Sequence, residues 1–161
     1  MADKEMIQEK IGEALGLEKA AQKAVEQLDS RGLLEPEHVK KLSKMKDEAD
    51  KQEQKMEELV QELTDSDGFD SSTIEEKAAE TAEKASKIME TYLGEDPDTQ
   101  EALEFLCLAE GGEVAHYEVL ASVAKDVKNK KFGPQVRAIL KQEKGHLNFC
   151  TKLAKSNAAS A

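Results

Sequence analysis

Apolar residues recur along this chain in alternating steps of three and four, the spacing that collects them on one face of an α-helix. Ile7, Ile11, Ala14, Ala21, Val25 and Leu28 form the first such stripe, with Glu18 inside it. It predicts a helix over 4–30, closed by Arg31-Gly32. Leu42, Met45, Ala49, Met56, Leu59 and Leu63, with Gln52 inside, predict a second helix over 36–63, and Pro36 suits its first turn. The polar run TDSDGFD, 64–70, reads as a linker. Ser72-Thr73-Ile74-Glu75 has capping-box spacing and opens a third helix to Leu93. Its packing face is Ile74, Ala78, Ala82, Ala85, Ile88 and Tyr92, and Gly94 ends it. Asp96 as cap and Pro97 in the first turn start a fourth helix, to Lys128. Gly133-Pro134 opens a fifth, to Lys155, and SNAASA, 156–161, is expected to be a disordered tail.

The predicted fold is all-α. An antiparallel four-helix core carries one additional crossover helix, five helices in a single domain over 1–155. Composition agrees: 9 glycines, 3 prolines and 4% aromatic residues leave little material for sheet. A net charge of −11 argues against binding nucleic acid or an anionic membrane through bulk charge. No run is long and apolar enough to span a bilayer, and the N-terminus has no signal core. Cys107 and Cys150 form no zinc or CxxC pattern, so buried, reduced thiols in a cytoplasmic setting are expected.

The stripes are interrupted by chemistry. The fourth helix carries Glu110, Glu113 and Tyr117 on its seam, with His116 flanking it. The fifth carries Glu143 and His146. Both contain Glu-x-x-His, which sets a carboxylate and an imidazole on one helix face. With a turn near 130–134, Glu113 falls level with His146, and His116 with Glu143. In the first hairpin Glu48 falls level with Glu18, but Lys51 stands where an imidazole would complete Glu-x-x-His. Lysine is a poor replacement, because its ammonium has no lone pair and repels a cation. Gln52 could bind a metal weakly or only hydrogen-bond, and Glu53 is a less favoured substitute for Glu48. His38, among charges in a first turn, is expected to be exposed.

Each carboxylate buried in a dry core costs several kcal/mol unless compensated. A divalent metal held by carboxylates and imidazole would compensate several at once. Glu18, Glu48, Glu110, Glu113, His116, Glu143 and His146 are the candidate ligands. The competing reading is a wet bundle held by Glu-His and Glu-Lys hydrogen bonds, in a dimeric structural protein without metal. Gly111, Gly112 and Gly145 lie beside the candidate ligands, where each costs about 1 kcal/mol of helix propensity. A neighbouring helix, a bulge or a small ligand would account for them, and so would a locally distorted helix.

EGGEVAH (110–116) followed by EKGH (143–146) resembles the C-terminal half of the rubrerythrin pattern, and the layout resembles the YciF-like members of the ferritin-like superfamily. GLEKAAQKAV (16–25) is similar to their first helix, and AHYEVL (115–120) to their motif around His-Tyr-Glu. The resemblance implies a dinuclear iron or manganese centre that reacts with peroxide or dioxygen in iron or oxidative-stress handling. It makes Glu110 and Glu113 the bridging or exchangeable carboxylates. It also places Tyr117 as a hydrogen-bond donor to a ligand carboxylate or to an iron-bound oxygen. The alanine-rich third helix suits a homodimer contact. Glu-x-x-His is missing from the second helix, which implies that one metal position binds more weakly than the other.

Overall fold

The computed structural model describes Met1–Ala161 and contains five α-helices and no strand. They are α1 (Lys4–Ser30), α2 (Pro36–Ser66), α3 (Ser71–Leu93), α4 (Thr99–Val123) and α5 (Phe132–Ala159). No helix is long and apolar enough to cross a membrane.

The ends are fixed by short polar side chains. Asp3 accepts from the Met6 amide at 2.8 Å and starts α1. α3 is capped by Asp70, whose carboxylate accepts from the Ser72 amide, two residues before the expected Ser72 capping box. α4 is capped by Asp98 rather than Asp96. The Asp98 carboxylate accepts from the Glu101 amide and Glu101 accepts in return from the Asp98 amide. That reciprocal pair satisfies two otherwise orphaned amides and outweighs the Asp96-Pro97 signal. Gly94 stops α3 at φ 67°, a conformation costly for residues with a Cβ. α5 continues to Ala159, beyond the expected end at Lys155. Asn157 donates to Gln100 on α4 at 2.8 Å, which ties this end down.

The core is split into two apolar clusters. One gathers Ile7, Ile11, Leu15, Met56, Leu63, Tyr117, Leu120 and Ile139. The other gathers Ala24, Leu28, Leu42, Met45, Leu103, Leu106, Cys150 and Leu153. α1 and α5 run from the first cluster to the second, and α2 and α4 run the opposite way. α3 therefore returns the chain along the bundle, so that α4 starts at the same end as α2. This is the crossover helix expected from sequence.

α3 packs most intimately on α1, at Gly12 and Gly16. A Cβ at Gly12 would lie 2.8 Å from the Ile74 carbonyl oxygen, and one at Gly16 would collide with the Ala78 carbonyl. Bare backbone there lets the two helices touch. Towards its C-terminus α3 buries Met89 and Leu93, while Ile88 and Tyr92 are exposed. Its packing face thus turns by about one residue from the expected Ile88-Tyr92 line.

Candidate metal centre

Between the two apolar clusters lies a polar layer. Eight polar residues are buried in the whole protein. Two of them sit near helix ends and have ordinary partners. Gln8 accepts from the Asp70 amide at 2.6 Å, and His38 Nδ1 accepts from the Glu35 amide at 3.3 Å. His38 is thus buried in the α2 cap and not exposed. The remaining six are Glu18 from α1, Gln52 from α2, Glu110 and Glu113 from α4, and Glu143 and His146 from α5. All four helices of the core contribute. The eight buried side-chain atoms without a hydrogen-bond partner all belong to these six residues. They include both oxygens of Glu143, which is fully buried.

Ligand atoms converge in two groups, each within 4.8 Å of one another. Glu110, Glu143 and His146 form one, and Glu18, Glu113 and Glu143 form the other. Glu143 is the residue common to both groups. α4 and α5 thus bring Glu113 to Glu143 and Glu110 to His146, one helical turn from the expected register. The turn decides this: α4 stops at Val123 and a 3₁₀ turn over Ala124–Asp126 follows, where helix to Lys128 was expected.

His116 is not part of the layer. Its side chain is 41% exposed, its Nδ1 lies 2.8 Å from the Gly112 carbonyl of its own helix, and its Nε2 is 3.9 Å from Glu13. It lines a separate cavity of about 710 Å³ between α1, α3 and α4, walled by Ala21, Ala82 and Phe105 among others. The change of register explains the difference, because Glu143 now faces Glu113 rather than the flank that carries His116.

Glu48 stands behind His146 rather than among the converging atoms. Its carboxylate is 3.1 Å from His146 Nε2 and accepts from Gln142 Nε2 at 2.6 Å. A carboxylate on one ring nitrogen fixes the tautomer and frees the other as a lone-pair donor. The free one here is Nδ1, buried, unpaired and 3.6 Å from Glu143. Lys51 is exposed, so it neither opposes a cation in the layer nor occupies an imidazole's place. Glu53 bonds Gln22 at 3.3 Å on the α1 side, away from the converging atoms. Tyr117, only 1% exposed, donates its hydroxyl to Glu18 at 3.3 Å and closes the layer on one side. Gln52, expected to bind a metal weakly or only to hydrogen-bond, is the buried polar side chain that α2 contributes to the layer.

Protonation shows the electrostatic pressure. Burial, with the charges of neighbouring carboxylates, pushes Glu18, Glu110 and Glu113 well above the usual carboxylate range. Burial also pushes Glu143 upward, but the closeness of His146, Glu110 and Glu113 outweighs it and holds its carboxyl below that range. Burial disfavours the charged His146 ring, and Glu143 and Glu48 outweigh it and raise the ring to about 9. Without a cation the layer therefore balances its charge by taking up protons. Both cysteines are free thiols, and burial drives the Cys150 thiol far upward.

A surface cavity of about 320 Å³, lined by Glu48, Gln142, Gly145, His146 and Phe149, opens beside the layer. A Cβ at Gly145 or Gly112 would meet nothing within 4 Å, so these glycines leave space and do not mark a helix contact. No protein-family model matches the chain, and no curated protein or solved structure does.

Proposed function

We propose that this protein holds a pair of divalent cations, iron or manganese, in the polar layer of a ferritin-like bundle. Glu143 carries this reading: a fully buried carboxylate with two unpaired oxygens, shared by two converging ligand groups. Buried polar atoms are normally hydrogen-bonded, and eight orphans gathered in one layer is a concentration that cations would relieve. The donor set fits, since carboxylate oxygens with one imidazole suit first-row divalent metals.

Glu110, Glu143 and His146 Nδ1 would hold one ion, and Glu18, Glu113 and Glu143 the other. Glu48 positions His146, and Tyr117 keeps a proton on its hydroxyl and orients Glu18. The apolar clusters on both sides exclude water, and the cavity beside Glu48 and Gly145 gives a path inward. Bound as iron, the pair would supply the electrons to reduce peroxide or dioxygen. This chemistry would serve iron or oxidative-stress handling. The exposed Ile88, Tyr92 and Leu108 suit a homodimer face.

The test is metal content in protein purified without chelator or metal-affinity tag. E143A and H146A should lose most of the bound metal, and H38A and K51A should keep it. Equal loss in all four would mean surface binding. Wild-type protein without metal, and with no response to saturating Mn²⁺ or anaerobic Fe²⁺, would leave a structural helical protein instead.

A further inference from the structure

Gln52 is the one member of the polar layer with neither a charge nor a hydrogen bond. It is 5% exposed, and both its amide oxygen and its amide nitrogen are buried and unpartnered. An amide offers two donors and a carbonyl acceptor. Leaving such a group unpaired costs about 1–3 kcal/mol. A leucine at this position would simply continue the stripe of Met45, Ala49 and Met56.

The order of residues along the helices places it. On α4, Glu110 lies nearer the cluster containing Leu106, and Glu113 nearer the one containing Tyr117 and Leu120. On α5, His146 lies towards Cys150 and Glu143 towards Ile139. On α1, Glu18 follows Leu15 of the Tyr117 cluster. On α2, Glu48 follows Met45 and bonds His146, whereas Gln52 precedes Met56 of the Tyr117 cluster. Gln52 therefore sits on the side of Glu18 and Glu113, and Glu48 on the side of Glu110 and His146.

We infer that the Gln52 carbonyl oxygen is a neutral ligand completing the Glu18, Glu113 and Glu143 group. That group becomes an all-oxygen position for a hard divalent cation of the Mn²⁺ or Mg²⁺ class. The neighbouring group contains an imidazole and suits Co²⁺, Zn²⁺ or Fe²⁺. The two positions thus differ in kind and not only in affinity. Charge agrees: the carboxylates of Glu18, Glu110, Glu113 and Glu143 match two divalent ions. A carboxylate in place of Gln52 would leave the layer with excess negative charge. This assignment rests on the reading that the layer binds a pair of cations.

The experiment uses metal-stripped full-length protein preloaded with one equivalent of Co²⁺ and then dialysed against Mn²⁺. Wild type should keep the Co²⁺ and take up one Mn²⁺. Q52L should bind Co²⁺ as wild type does, and its Mn²⁺ affinity should fall about tenfold or more. Metal-free Q52L should melt no lower than metal-free wild type, because its amide has no partner to lose. Q52E should regain Mn²⁺ and shift its preference towards a trivalent probe, read by Tb³⁺ luminescence. Unchanged Mn²⁺ affinity in Q52L, or equal loss of Co²⁺ and Mn²⁺, would overturn the role of Gln52 while leaving the metal centre standing. No uptake of either ion by wild type would overturn both.

Discussion

Stripped of divalent cations, the protein should lose stability as the pH rises from 6.5 to 9. His146 is raised to about 9 in the folded state from an ordinary 6.5. A raised histidine contributes stability that is fully present below its unfolded value and is lost as the pH passes the folded one. The displacement corresponds to about 3 kcal/mol. A coupled ring beside a solvent-facing Glu48 warrants reducing this to about 2 kcal/mol. Glu18, Glu110 and Glu113 act in the same direction. Their folded values are raised, so they favour the fold below the ordinary carboxylate range and lose that contribution as they ionise. Glu143 and Glu48 are lowered, and their contributions disappear only in acid, outside this window. Urea unfolding with chelator present at pH 6.5 and 9 measures the balance. With a slope of about 2 kcal/mol/M, the midpoint should fall by about 1 M. Saturating Mn²⁺ should remove or reverse the decline, because ligands must be deprotonated to bind. A chelated protein equally stable at both pH values, or more stable at pH 9, would refute the electrostatics derived for the layer.

Other perturbations separate the site from the scaffold. Gly16→Leu should destabilise the fold by about 1–3 kcal/mol, because its side chain must displace the α3 backbone at Ala78. Gly112→Ala should stabilise it by up to about 1 kcal/mol, since a Cβ there meets open space. Thermal melts check both, and equal effects would contradict the packing of α3 on α1. Lys51→His should leave metal stoichiometry unchanged in a Co²⁺ titration, because position 51 faces solvent. A gain of one metal per chain would restore the sequence-based reading of Lys51 as a missing ligand.

The sequence by itself determined the helices, their approximate ends and the residues that interrupt their apolar stripes. Periodicity is a local property, and a carboxylate such as Glu18 or Glu143 on a core face stands out without knowledge of any neighbour. Local patterns also located the crossover helix, because five segments with short linkers leave few ways to bury five stripes. Cap choice was less legible, since Asp96 and Asp98 both carry cap chemistry and only the reciprocal Glu101 bond selects one. The register between α4 and α5 could not be read locally. It depends on where α4 gives way to a 3₁₀ turn, and a shift of one turn replaces His146 by Glu143 opposite Glu113. The same shift made Glu143 the shared carboxylate and left His116 near the surface. Gln52 was visible on its stripe, but an uncharged amide carries no signal of isolation until the surrounding atoms show that nothing satisfies it. Gly12 and Gly16 gave no warning either. A glycine within a helix looks only like a local weakness, and its purpose appears when another backbone lies against it. Tertiary structure alone decides which side chains converge, because convergence depends on register and close approach between segments far apart in the chain.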